Sequence, residues 1–117
     1  MQLTINDKTY EVRFGVKFVR AMDEKYRLNS NGVEFGAGLE ATAGFLLNQK
    51  ITTLADYLYY GTITEKPRPS QNDIDDYLDT VEDIEAVFNE VVAELEASNA
   101  SKLYIAKAKK EILANQA

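Results

Sequence analysis

The sequence predicts a mainly α (α+β) fold, in which an N-terminal antiparallel β-hairpin packs on a bundle of about five helices and a helical tail follows. Apolar and polar residues alternate over the first 14 positions, which indicates half-buried strands. Beyond them, apolar residues recur at helical spacing. A length of 117 residues suits a single domain. We assign residues 1–98 to a globular domain and 99–117 to a tail that we expect to depend on a partner for order.

The hairpin is predicted over residues 2–5 and 9–13. Asn6-Asp7-Lys8 has turn chemistry, because Asn and Asp tolerate left-handed backbone and bond locally to it. A two-stranded hairpin is marginal alone, so its apolar face should lie on the helices. The apolar residues of that face are Leu3, Ile5, Tyr10 and Val12, and the helical residues expected beneath it are Phe18, Met22, Phe88 and Val92.

Three helices are predicted in the first half of the chain. The first covers about 15–27 and is followed by a loop at 29–36, because Asn29-Ser30-Asn31-Gly32 stops it. The second covers 37–48. The third opens at Thr53-x-x-Asp56, which resembles a capping box, and ends near Gly61.

The second half begins after a proline-containing break, TITEKPRP. Ser70-x-x-Asp73 and Thr80-x-x-Asp83 are predicted as helix caps, which favours a short helix over 71–79 and a long one over 81–97. The two apolar stripes stay in phase, so one bent helix is the alternative. The tail, 101–116, has good helix formers but a weak stripe of Ile105, Ala108 and Ile112.

Composition excludes several classes of protein. The chain contains no Cys and no His, which excludes disulfides, Cys/His zinc sites and Ser-His-Asp catalysis. No secretory signal and no membrane-spanning stretch are visible. Residues 70–97 carry ten acidic and no basic residues, whereas 98–117 carry four Lys and one Glu. A nucleic-acid binder needs a clustered basic face, so we expect none, and we expect a soluble protein that stays where it is made.

Two motifs resemble ligand sites but are better explained structurally. Residues 36–41 match the dinucleotide pattern G-x-G-x-x-[GA], yet they follow a predicted loop instead of a strand. The Asp residues at 73–79 lack the Gly and closing Glu of a calcium loop and suit a solvated helix face. We therefore expect no catalytic residue, no cofactor and no metal.

Protein contacts are the remaining class of function, and two regions are candidates for them. On a helix through LADYLYYGT, Tyr59 points away from the face shared by Leu54, Tyr57 and Leu58. It serves either as an exposed interface anchor or as packing under the hairpin or tail. The Lys-rich tail is the second candidate, and its attraction to the acidic section of another copy would favour self-association. The candidate partner-binding residues are Tyr59, Tyr60, Lys102, Tyr104, Ile105, Lys109 and Ile112.

The order of these segments resembles a known family. LTINDKTYEVRFGVKFVRAMDEKY, then GLEATAGFLL, LADYLYYGT and DIDDYLDTVEDIEAVFNEVVAELEASN are similar to tail assembly chaperones of long-tailed phages and prophages of Gram-positive bacteria. The resemblance covers roughly residues 1–98 and is one of pattern, without a catalytic signature.

The resemblance implies a non-enzymatic protein that acts in the host bacterial cytoplasm and is absent from the mature virion. It implies two partners, the tape measure protein, which is kept soluble, and tail tube subunits, which are recruited around it. The alternative is a small acidic adaptor, regulatory or structural phage protein that also acts through protein contacts.

Overall fold

Six helices and two hairpins make up the part of the chain that the computed structural model describes, residues 1–115. The mainly helical fold with an N-terminal hairpin is thereby confirmed. No helix in this range is both long and apolar enough to cross a membrane. In chain order the elements are β1 (Gln2–Ile5), β2 (Lys8–Glu11), α1 (Val16–Lys25), β3 (Arg27–Ser30), β4 (Val33–Gly36), α2 (Gly38–Leu47), α3 (Ile51–Gly61), α4 (Gln71–Thr80), α5 (Ile84–Ala97) and α6 (Lys102–Asn115).

The predicted first hairpin forms, but its second strand covers Lys8–Glu11 instead of 9–13, so Lys8 belongs to the strand and not to the turn. Strands β1 and β2 pair antiparallel with Leu3 opposite Tyr10, around a two-residue turn. Both turn residues, Asn6 and Asp7, have positive φ angles of 51° and 64°, which suits the right-handed twist of a hairpin. Leu3, Ile5 and Val12 are buried, while Tyr10 is half-buried. The expected apolar face is therefore present.

The predicted loop at 29–36 is wrong, because most of it belongs to a second hairpin. Strands β3 and β4 pair with Leu28 opposite Phe35, and Asn31 and Gly32 form the turn with φ angles of 53° and 81°. Asn-Gly between apolar residues is a strong hairpin signal. The prediction used these residues only as a helix stop and so missed the strands.

A chain of aromatic rings joins the elements of the core. The ring centroids of Phe14 and Phe18 lie 4.9 Å apart, and those of Phe18 and Tyr57 lie 5.4 Å apart, both edge to face. The Tyr57 hydroxyl is bonded to the Thr42 hydroxyl at 2.9 Å. One apolar cluster thus connects the first hairpin with α1, α2 and α3. Of the helical residues expected beneath the hairpin, Phe18, Met22 and Phe88 are buried and Val92 is half-buried.

One of the three predicted caps is confirmed. The Ser70 hydroxyl accepts the Asp73 N–H at 3.0 Å, and the Asp73 carboxylate accepts the Ser70 N–H at 3.0 Å, a complete capping box. The cap predicted at Thr53 is wrong. Helix α3 begins at Ile51, Thr53 is buried within it, and the Asp56 carboxylate accepts the Tyr26 hydroxyl proton.

The cap predicted at Thr80 is also wrong. Thr80 ends α4, where its hydroxyl donates to the Asp76 carbonyl at 3.0 Å. Asp83 caps α5 by accepting the Ala86 N–H at 3.0 Å, so α5 begins three residues later than the predicted position 81. Val81 between them has extended backbone, and the acidic section is therefore two helices and not one bent helix.

The tail forms a helix, α6, that packs on α2 and α5. Ile105 is fully buried and Ala108 is buried. The Ser101 hydroxyl donates to the Leu95 carbonyl at 2.7 Å and ties the start of α6 to α5. Gln116, the last residue of the predicted helix, lies outside the described residues. The division of the chain at residue 98 and the dependence of the tail on a partner stay predictions.

Helices α1 and α2 approach closely where two glycines lie against α1. A Cβ atom on Gly38 would stand 2.6 Å from both the Cβ and the carbonyl carbon of Met22, and one on Gly36 would stand 2.6 Å from the Asp23 Cβ. The Gly38 N–H also donates to the Asp23 carboxylate at 2.8 Å. Only glycine fits at these two positions without displacement of α1.

We expect Gly38→Ala to lower the free energy of unfolding by about 1–3 kcal/mol, because the new methyl group meets α1 backbone. Gly44→Ala in the same helix is the matched control. A Cβ there meets no atom of another element within 4 Å, so the higher helix propensity of alanine should stabilise the protein by up to about 1 kcal/mol. Urea denaturation of both variants measures the difference, and equal effects would contradict the close approach.

We expect stability to fall at alkaline pH because of Tyr57. Burial raises the pKa of its phenol to about 12 from the ordinary 10.0. Between these pKa values the Tyr57 phenol keeps its proton in the folded state but has lost it in the unfolded state. The free energy of unfolding therefore decreases as pH rises, by about 2–3 kcal/mol in total. Burial and the Asp56 hydrogen bond raise the pKa of Tyr26 in the same direction. Denaturation series should show a shallower decrease for Tyr57→Phe, and an unchanged slope would contradict the assignment.

Candidate protein-binding surface

Large apolar side chains that remain exposed are the first guide to a contact surface. Two of these side chains, Phe45 on α2 and Leu113 on α6, flank neighbouring hollows between these helices. In the described part of the chain the exposed large apolar residues are Val16, Leu28, Val33, Phe35, Phe45, Ile51, Ile84, Leu103 and Leu113.

The hollows form one continuous surface, which we call the α2–α6 surface. The first hollow, beside Phe45, has a volume of about 350 Å³. The second, beside Leu113, has a volume of about 380 Å³ and shares Asn48 and Ile112 with the first. The residues that line this surface are Leu39, Glu40, Ala41, Ala43, Gly44, Phe45, Leu47, Asn48, Tyr104, Lys107, Ala108, Lys109, Glu111, Ile112, Leu113 and Asn115.

Small residues on α2 create the groove. Ala41, Ala43 and Gly44 place little side-chain volume between the helices, and nothing lies within 4 Å of a Cβ built on Gly44. Phe45 stands at the edge with 51% of its surface exposed. The Lys50 ammonium lies 4.7 Å from its ring centroid, a cation–π contact that helps to hold the ring in place.

Both signs of charge surround the groove. Glu40 and Glu111 lie among the lining residues of the groove, together with Lys107. Lys109 lies beside the second hollow and donates to the Glu96 carboxylate at 2.8 Å. The Glu40 carboxylate raises the pKa of the Tyr104 phenol, with a smaller contribution from burial, so Tyr104 presents a neutral hydroxyl to this surface at neutral pH.

The tail residues proposed from sequence are divided between two faces of α6. Tyr104 and Ile112 line the groove and Lys109 lies at its end, so three of them are brought together. Ile105 is fully buried and contributes to the core instead of the surface. Lys102 is exposed but does not line the groove. Lys109 pairs with Glu96 of its own chain. Self-association through the Lys-rich tail stays a prediction.

Tyr59 and Tyr60 lie on a different part of the molecule and are both half-buried. The Arg68 guanidinium covers the Tyr59 ring at 4.0 Å from its centroid and donates to the Tyr59 carbonyl at 2.8 Å. The Tyr60 ring meets the Tyr59 ring edge to face at 5.1 Å. Tyr59 therefore packs beneath Arg68, which belongs to the segment that follows α3. A partner contact at these tyrosines stays a prediction.

Sequence reasoning missed Phe45 and Leu113. Phe45 falls outside the stripe of Leu39, Ala43 and Leu46 that α2 buries, and a large aromatic residue off the buried stripe is the signal that identifies it. Leu113 lies near the end of the weak tail stripe.

No group of three or more acidic side chains within residues 1–115 is arranged to hold a metal ion.

Comparison with known families gives one match. Residues 2–110 match the model of the family described as phage tail assembly chaperone protein, TAC. The match extends through most of α6 and so includes the larger part of the α2–α6 surface. Searches among curated proteins and among solved structures give no match.

The two faces of α6 should respond differently to truncation. Ile105→Ala removes a fully buried side chain and should lower the free energy of unfolding by about 2–5 kcal/mol. Leu103→Ala, in the same turn but 75% exposed, should change it by no more than about 0.5 kcal/mol. Chemical denaturation of the two variants tests this, and a small effect at Ile105 would mean that α6 does not belong to the cooperative core.

Proposed function

Because the chain belongs to the phage tail assembly chaperone family, we propose that it binds the tape measure protein and recruits tail tube subunits to it during tail assembly. We further propose that it acts by binding alone, in the cytoplasm of the bacterial host, and leaves before the tail is complete. The observation that carries the proposal is the α2–α6 surface, which presents apolar groups with charges around them.

The composition of this surface suits a chaperone. A protein that keeps an aggregation-prone partner soluble needs exposed apolar contacts to hold it. Phe45 and Leu113 supply such contacts, and Tyr104 adds an aromatic side chain with a polar tip. A net charge of −6 keeps the resulting complex dispersed.

The surface is also held in shape before a partner arrives. Leu39 and Ala108, two of the residues beneath the groove, are buried, and Ile105 anchors α6 next to them. A preformed surface loses less conformational entropy on binding than one that must order itself. These features support binding of a partner helix or strand along the groove between α2 and α6.

We expect Phe45→Ser/Leu113→Ser to reduce the yield of soluble tape measure protein in co-expression, since both side chains would contact it. The co-expressed partner is a tape measure protein from the same genome, and the soluble fraction and the co-purified chaperone are measured together. Both residues are exposed, so each substitution should change stability by no more than about 0.5 kcal/mol.

Matched controls separate the surface from general loss of apolar area. Val16→Ser/Ile84→Ser also removes two exposed apolar side chains, from α1 and α5, and should leave the yield unchanged. Tyr59→Ala tests the surface beneath Arg68. Deletion of the tail is unsuitable, because it would uncover the core around Ile105. If the unaltered chain fails to solubilise the partner, the chaperone proposal is lost. If Phe45→Ser/Leu113→Ser solubilises the partner as well as the unaltered chain does, the surface is misassigned.

A further inference from the structure

A second groove lies between α1 and the segment that follows α3, and it shares no residue with the α2–α6 surface. Its volume is about 490 Å³. Helix α1 contributes Lys17, Arg20 and Glu24 to one side, and Ile63, Thr64 and Lys66 form the other. We call it the α1 groove.

Positive charge predominates in the α1 groove. Three cations and one carboxylate line it, whereas the whole chain has a net charge of −6. In the described residues the ion pairs use other cations, namely the N-terminal ammonium of Met1, Arg27 and Lys109. Lys17, Arg20 and Lys66 are exposed and are left without a carboxylate within ion-pair distance in that range. The charges are therefore available to a ligand.

The floor of the groove is apolar. Ile63 and Ala21 are half-buried there, and the aliphatic stems of Lys17 and Arg20 add apolar surface beside their charged ends. The Thr64 hydroxyl is buried and has no hydrogen-bond partner in the described part of the chain.

We propose that the α1 groove binds an acidic peptide segment of a protein partner. Its carboxylates contact Lys17, Arg20 and Lys66, and an apolar side chain between them lies on Ile63. The apolar floor favours such a peptide over a bare inorganic anion, which would leave that floor in water. Nucleic acid is disfavoured, because phosphate backbones bind extended cationic faces and the chain as a whole is acidic. This site goes beyond the α2–α6 surface and does not depend on it.

The probe is a fluorescein-labelled, terminally blocked peptide, Glu-Leu-Glu-Glu-Leu-Glu, measured by fluorescence anisotropy against the full chain. We expect saturable binding that weakens as salt rises from about 50 to 500 mM. Lys17→Glu/Arg20→Glu should weaken it by about tenfold or more, since two attractive contacts become repulsive. Glu24→Gln should tighten it about two- to fivefold, because a repulsive carboxylate is removed.

A control with the same change in net charge is Lys8→Glu/Lys110→Glu, which alters exposed lysines outside the groove. It should bind the probe nearly as well as the unaltered chain. Equal losses in both double variants would overturn the proposal by showing a response to net charge alone. The proposal would also be overturned if the probe did not bind, or if Glu24→Gln bound it with unchanged affinity. The same holds if a peptide with Gln in place of Glu bound equally well. Full competition by inorganic phosphate at equal concentration would assign the groove to small anions.

Discussion

The close approach of α2 to α1 is the contact on which the rest of the molecule depends. Gly36 and Gly38 lie against the backbone of Met22 and Asp23, and the Asp23 carboxylate holds the first turn of α2 through the Gly38 N–H. The position of α2 then determines where α6 packs, and so where their groove lies. Another part of α1 lines the α1 groove.

Helix α6 contributes both to the core and to the proposed binding surface. One face gives Ile105 and Ala108 to the core, and the other presents Tyr104 and Ile112 to the groove. A partner on that surface would contact side chains whose backbone is already fixed by buried neighbours. Under the proposed function, binding there would stabilise the folded state by mass action, including the packing of α6 on α2 and α5.

The distribution of charge matters more than its total. Residues 70–97 carry ten carboxylates on α4, α5 and their junction, where Asp73 and Asp83 cap helices and most of the others face solvent. Cations are concentrated on α1, the segment after α3 and α6. This separation is compatible with the two proposed binding surfaces, because an apolar surface and a cationic groove favour chemically different segments.

Sequence by itself determined the helical class, the first hairpin, the cap at Ser70 and the family pattern, because each rests on local periodicity or on hydrogen bonds within four residues. The second hairpin was also local, in Asn31-Gly32, but its dipeptide was interpreted only as a helix stop. Tertiary structure alone decided the rest. Asp56 bonds Tyr26 instead of capping α3, Arg68 covers Tyr59, and Phe45 and Tyr104 line one groove. These arrangements bring together residues from different elements, whose proximity depends on how the elements pack and not on the spacing within any one of them.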